Sequence, residues 1–150
     1  MGGFAAKPGV PNLPGLMQVP ANVIAFGKWP LSCMAPTIVL KNEKLFLVLG
    51  SPGGSRIITT VANILTDVLA YGLNIQQAVD APRFHNQWLP DTALVEKAIS
   101  PDTLQLLDKM GHAMEILPEW SDGECVAVDP ATGERLGASD YRNKGKAVGY

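Results

Sequence analysis

Short apolar runs separated by polar turns fill the chain from residue 37 onward. Thr37-Ile38-Val39-Leu40 and Leu45-Phe46-Leu47-Val48-Leu49 flank the polar Lys41-Asn42-Glu43-Lys44. This pattern predicts a β-hairpin with buried strands. The next apolar positions, Ile57, Ile58, Val61, Ile64, Leu65, Val68 and Leu69, recur at three- and four-residue spacing. They predict an amphipathic helix, with Ser55 as N-cap and Gly72 as its stop. Asn74 and Gln77 have capping-box spacing, so a short second helix starts there and ends by Ala81, ahead of Pro82. Residues 82–90 read as extended chain or loop, and residues 93–97 as a short strand. Ser100-Pro101-Asp102 opens a third helix with Leu104, Leu106, Leu107 and Met110 as its apolar face and Gly111 as its stop. Residues 113–117, 125–128 and 135–137 read as strands, the last two joined by the turn Pro130-Ala131-Thr132-Gly133. Strands, then helices, then strands predict an α+β layered domain rather than βαβ winding.

The first 36 residues break this pattern. They hold six of the twelve prolines and only two charges, Lys7 and Lys28. Proline removes donors and punctuates regular structure, so extended chain and turns are expected here. A segment of that length without regular structure is uncommon in a compact domain and points to function or to a linker.

Composition narrows the classes. The chain has 150 residues, a net charge of −2 and a hydrophobic fraction of 47%, which predicts an ordered globular domain. Near-neutral charge lacks the basic patch of a nucleic-acid protein. No apolar run is long enough to predict a membrane span. The first residues do not read as a signal peptide, and Ala6 stands where a myristoylation signal needs Ser or Thr. Two cysteines, Cys33 and Cys125, make neither a disulfide framework nor a four-ligand zinc site, so no metal or cofactor is expected.

Gly50-Ser51-Pro52-Gly53-Gly54-Ser55-Arg56 is the strongest local candidate for chemistry. Paired glycines let backbone approach a ligand, and the loop runs into a helix N-terminus, which favours negative charge. Such a turn can hold a phosphate, a carboxylate or a developing oxyanion, or be a plain strand-to-helix connection. It lacks the Gly-Lys-Ser/Thr ending of a Walker loop. Ser32 and Cys33 place a hydroxyl and a thiol side by side, both able to donate to a carboxylate. Cys33 is either a nucleophile or a buried structural thiol, and Cys125 lies in a strand pattern that predicts core. Arg83 and His85 share a face in extended chain, but nothing near His85 completes a triad, so a hydrogen-bonded structural histidine is expected. His112 is expected at the surface. Asp67, Asp80, Asp91 and Glu96 have no spacing that marks a catalytic pair.

Several longer motifs then coincide. They are Ala6-Lys7-Pro8-Gly9, Pro30-Leu31-Ser32-Cys33-Met34-Ala35-Pro36-Thr37, Leu49-Gly50-Ser51-Pro52-Gly53-Gly54-Ser55-Arg56-Ile57, Asp80-Ala81-Pro82-Arg83-Phe84-His85, Gln87-Trp88-Leu89-Pro90, Gly137-Ala138-Ser139-Asp140 and Val148-Gly149-Tyr150. With these motifs in order from end to end, the chain resembles the C-terminal part of the small subunit of γ-glutamyltransferase (glutathione hydrolase), closer to bacterial members. The resemblance implies part of the αββα sandwich of an N-terminal-nucleophile hydrolase, lacking the nucleophile-bearing strand. Residues 1–36 would form a pocket and lid segment, and residues 37–150 the sandwich portion.

The resemblance also implies roles. The N–H groups of Gly53 and Gly54 would form an oxyanion hole for attack on a γ-glutamyl amide such as glutathione. Ser32 would hydrogen-bond the substrate α-carboxylate, with Cys33 in the place of a second family serine. The expected partners are the upstream small-subunit segment, which carries the threonine nucleophile, and the large subunit; neither nucleic acid nor membrane is expected. Gly3 stands where the family has an acid for the substrate α-amino group, and Pro14 where many bacterial members have a lid tyrosine. Family members are commonly periplasmic or extracellular. The alternative is a non-catalytic relic or an anion-binding interaction module. Missing strands would leave a sheet edge and an apolar face uncovered, so a marginally stable isolated chain is expected.

Overall fold

The computed structural model describes residues 4–12 and 15–149. The expectations at Gly3 and Pro14 lie outside the described residues. The chain divides into two compact units, Met1–Met34 and Ala35–Tyr150.

The first unit is turns and extended chain. Among its described residues the only helix or multi-residue strand is a single 3-10 turn, Pro20–Asn22. Side chains take over the hydrogen bonding that sheets and helices would otherwise provide. Gln18 Oε1 accepts from the Ala6 and Lys7 N–H groups at 2.6 and 3.2 Å, and Gln18 Nε2 donates to Val10 O. Asn12 Oδ1 accepts from the Leu16 N–H. Ala5 is the one described hydrophobic residue of this unit that is buried.

The second unit is built on a four-stranded antiparallel sheet of order β1-β2-β6-β7. Its strands are β1 (Thr37–Lys41), β2 (Lys44–Gly50), β6 (Glu124–Val128) and β7 (Arg135–Ala138). The β1–β2 turn is tighter than the four polar residues predict. Only Asn42 and Glu43 lie between the strands, at φ 52° and 63°, the left-handed pair that suits the strand twist. Two helices, α1 (Arg56–Leu69) and α2 (Ile75–Asp80), cover one face. The core between them holds Leu47, Leu49, Val61, Ile64, Val79 and Cys125.

The opposite face stays open, which corrects the expectation of fully buried strands. Ile38 is 67% exposed, and Leu40, Val48 and Val126 are also exposed. A register shift between Val39 and Leu40 brings Phe46 against the core beside Leu47 and leaves Leu45 outside.

A smaller sheet, order β3-β4-β5, joins β3 (Phe84–His85), β4 (Ala93–Glu96) and β5 (Met114–Leu117). Residues 84–85, within the stretch read as extended chain or loop, form a strand. It pairs with β4 because the Arg83 carbonyl accepts from the Glu96 N–H. And β4 and β5 are parallel, with α3 (Pro101–Lys109) crossing between them, so one βαβ unit sits inside the α+β order.

Helix ends explain themselves locally. Asn74 and Gln77 form the predicted reciprocal capping box, and Ser100 accepts from the Thr103 N–H. Gly72 and Gly111 follow their helices in left-handed conformation, as the stops require. Ser55 differs. It is helical at φ −62° and its side chain caps nothing. The carbonyls of Gly53 and Gly54 accept the Arg56 and Ile57 N–H groups instead, so that part of the helix start needs no side-chain cap. The α3 stripe is not a core face, since Leu106 and Met110 are exposed.

Candidate active site

The turn between β2 and α1 brings two glycines together in positive-φ backbone. Gly53 has φ 138° and Gly54 φ 63°. The first is a conformation that side-chain-bearing residues rarely adopt. The two carbonyls are engaged in the start of α1. Neither the Gly53 nor the Gly54 N–H is bonded to an acceptor among the described residues. Two donors at the positive end of a fourteen-residue helix suit a developing negative charge.

A second loop closes over this turn. Trp120, Ser121 and Asp122 line a cleft shared with Pro52 and Gly53. A Cβ placed on Gly53 would lie 2.2 Å from Ser121 Oγ. The Arg56 guanidinium stacks 5.1 Å from the centre of the Trp120 ring, a favourable cation–π contact.

Under that loop lies a buried network of two arginines and two carboxylates. Arg83 Nη2 donates to Asp140 Oδ2 at 2.6 Å. Arg142 donates to Glu96 Oε2 at 2.5 Å and to Asp140 Oδ1 at 3.0 Å. All four side chains are nearly inaccessible. The network is neutral, and further guanidinium donors reach carbonyls of Val79, Ala81 and Trp120, while the buried Arg83 Nε has no partner among the described residues. Glu96 also accepts the Arg83 and Trp120 N–H groups, and Asp140 those of Gly123 and Arg142. Burial pushes the Asp140 carboxyl upward, but the Arg142 and Gly123 N–H groups and the Arg83 guanidinium outweigh it and hold it below its ordinary value. For Arg142, burial is outweighed by Glu96 and Asp140, which raise its pKa.

The other candidates separate cleanly. His85 is buried, with Nδ1 2.8 Å from Thr59 Oγ1 and Nε2 3.1 Å from Gln87 Oε1. The amide oxygen only accepts, so we assign the ring proton to Nε2 and let Nδ1 accept from Thr59. This histidine ties α1 to β3. His112 is at the surface. Glu96 belongs to the buried network. Burial raises the carboxyl of Asp67, and no second carboxylate pairs with it among the described residues. Among the described residues, no group of His, Cys, Asp and Glu is placed to hold a metal ion, and no helix is long and apolar enough to cross a membrane.

Ser32 and Cys33 lie in the first unit, in exposed chain without regular structure. The cysteines differ sharply. Cys33 is exposed, whereas Cys125 is buried and its thiol is pushed up to about 12 by burial. The thiolate is the reactive form. A maleimide at pH 8 is therefore expected to label the folded chain once, at Cys33, and a second time only after unfolding. Two labels on the folded chain, counted by mass spectrometry, would contradict this.

Sequence reasoning missed Ser121 and the arginine–carboxylate network. Ser121-Asp122-Gly123 after Trp120 was readable as a turn, but nothing local ties it to a glycine pair nearly seventy positions away.

A profile of the family described as Gamma-glutamyltranspeptidase matches residues 1–150. The chain belongs to the γ-glutamyltranspeptidase family. The glutathione hydrolase proenzyme of Escherichia coli is 51% identical over 143 residues, spanning 95% of this chain and 24% of that relative. The chain thus spans about a quarter of that relative's length. A crystal structure of an acivicin-inhibited γ-glutamyltranspeptidase superimposes with a TM-score of 0.87 at 49% identity, covering 94% of this chain and 77% of that one. A cephalosporin acylase from Bacillus halodurans superimposes at 0.73 and 25% identity, over 81% of this chain and 23% of its own. The fold class is therefore α+β, the N-terminal-nucleophile hydrolase sandwich. The sheet, with helices on one face and an open second face, is part of such a layered fold.

Proposed function

We propose that this chain acts as part of a larger γ-glutamyltransferase, in γ-glutamyl transfer and hydrolysis on glutathione and related amides. Gly53 and Gly54 form the oxyanion hole, and Ser32 and Cys33 contact the substrate α-carboxylate. The rest of the enzyme, the upstream small-subunit segment and the large subunit, supplies the threonine nucleophile. The observation that carries this reading is the Gly53–Gly54 turn, with both N–H groups uncommitted at the start of α1.

The chemistry follows from that turn. The nucleophile's oxygen attacks the γ-carbonyl carbon, and the carbonyl electron pair moves onto oxygen. The two glycine N–H groups stabilise this alkoxide better than the starting carbonyl, which lowers the barrier. Collapse breaks the C–N bond, the proton given up by the attacking hydroxyl passes to the departing nitrogen, the amine leaves, and an acyl-enzyme ester remains. Water or an acceptor amine then attacks that ester through the same oxyanion. Ser32 O–H donates to the α-carboxylate; the Cys33 thiol is a weaker donor in its serine-like place.

The test is a γ-glutamyl-anilide assay of the chain alone and of the chain combined with the remainder of a related precursor. Turnover is expected only in the combination. No turnover in any combination would overturn the reading and leave an anion-binding interaction module. Turnover by the chain alone would move the chemistry onto Ser32, Cys33 or His85.

A further inference from the structure

We propose that Ser121 is a positioning residue for the Gly53–Gly54 turn, a role that rests on the reading of that turn as an oxyanion hole. Ser121 Oγ sits where a Cβ on Gly53 would be, 2.2 Å from that point, and Ser121 Cβ is 3.2 Å from it. The serine thus fills the side-chain face of Gly53 and blocks the turn from relaxing that way. Its own backbone is fixed in a left-handed conformation, φ 60°. Both flanks are anchored in the buried network. The Trp120 N–H donates to Glu96 Oε1 and its carbonyl accepts from Arg83, while the Gly123 N–H donates to Asp140 Oδ2. Asp122 accepts from Asn143 at 2.7 Å. The hydroxyl itself is buried and has no hydrogen-bond partner among the described residues. Its close approach to Gly53 is therefore a packing contact and not a hydrogen bond.

The network therefore reaches the glycine pair through one side chain. The rigid ion-paired base holds the Trp120–Gly123 loop, the loop holds Ser121, and Ser121 holds Gly53. Preorganised donors are worth more than mobile ones because they need no reordering as charge develops.

Ser121→Ala separates positioning from folding. Alanine keeps Cβ and the left-handed strain but removes the unpartnered hydroxyl, so the melting temperature should stay the same or rise. In the assembled enzyme, kcat for a γ-glutamyl anilide should fall about tenfold with KM within about twofold, less than the roughly 10²–10³-fold lost with an oxyanion donor itself. Amide exchange at Gly53 and Gly54 should quicken severalfold, while the α1 interior stays unchanged. Ser121→Cys, which refills the space, should restore most of kcat. An unchanged kcat and unchanged glycine exchange would overturn the proposal, as would a kcat loss matched by a lower melting temperature. If the wild-type assembly shows no turnover, the oxyanion reading fails, and exchange at Gly53 and Gly54 alone decides whether Ser121 holds the turn.

Discussion

Gly53→Ala in the assembled enzyme is expected to lower kcat by about 10²–10³-fold, the loss that follows when an oxyanion donor is misplaced or removed. Two independent features force this. The backbone at φ 138° is one that an L side chain rarely adopts, and the new methyl would meet Ser121 Oγ at 2.2 Å. Rotating the hydroxyl away would still leave Ser121 Cβ 3.2 Å from the new methyl, and the backbone carrying it is pinned on both sides by Glu96, Arg83 and Asp140. So the turn must move, and the N–H groups move with it. KM should change far less than kcat if these are oxyanion donors, since such donors act on charge that develops in the transition state. Gly72→Ala is the control. It too has a positive φ, 69°, but its Cβ would meet nothing within 4 Å. It should lose about 1 kcal/mol of stability for a left-handed alanine and leave kcat unchanged. Equal kcat losses for the two variants in the anilide assay would refute the oxyanion assignment.

Why the glycine pair was visible in the sequence, and Ser121 was not, is a matter of range. Strand, glycines and amphipathic helix follow one another, so the turn at 53–54 is written in neighbouring residues. The same holds for the α1 stripe, the Asn74–Gln77 box and the Ser100 cap, each set by residues within one or two turns. The β3 strand has only Phe84 and His85, too short for any periodicity. It forms because Arg83 and Glu96 exchange backbone and side-chain bonds across 13 positions. The parallel β4–β5 pair likewise depends on how α3 crosses, which no residue pattern within the strands records. The α3 stripe and the outer face of β1 show the opposite case. Their apolar periodicity is real, but Leu106, Met110, Ile38 and Leu40 are uncovered here. Periodicity reports what a face can bury, and covering it takes a further surface.

Asp140→Asn is expected to destabilise the folded chain by about 3–5 kcal/mol at pH 7, the range found when one partner of a buried ion pair is removed. Asp140 accepts from Arg83, from the Arg142 side chain and from two backbone N–H groups. The asparagine amide offers an oxygen to one side only. On the other its NH₂ faces a donor, and a buried guanidinium is left without full compensation. The pH dependence identifies charge as the cause. The Asp140 carboxyl is held below its ordinary value in the fold, so the folded state favours the ionised form. Its contribution is complete above the unfolded value of about 3.9 and disappears as pH falls through the lower folded value. Urea midpoints of wild type and Asp140→Asn should therefore differ most at pH 7 and converge below about pH 4. A difference that stays constant down to pH 3 would mean that shape, and not charge, sets the penalty. Because the Trp120–Gly123 loop hangs from this same carboxylate, the variant should also quicken exchange at Gly53 before global unfolding begins. Stability and local geometry then fail in order, network first and the Gly53–Gly54 turn next, which is the sequence expected if the buried pairs hold that loop still.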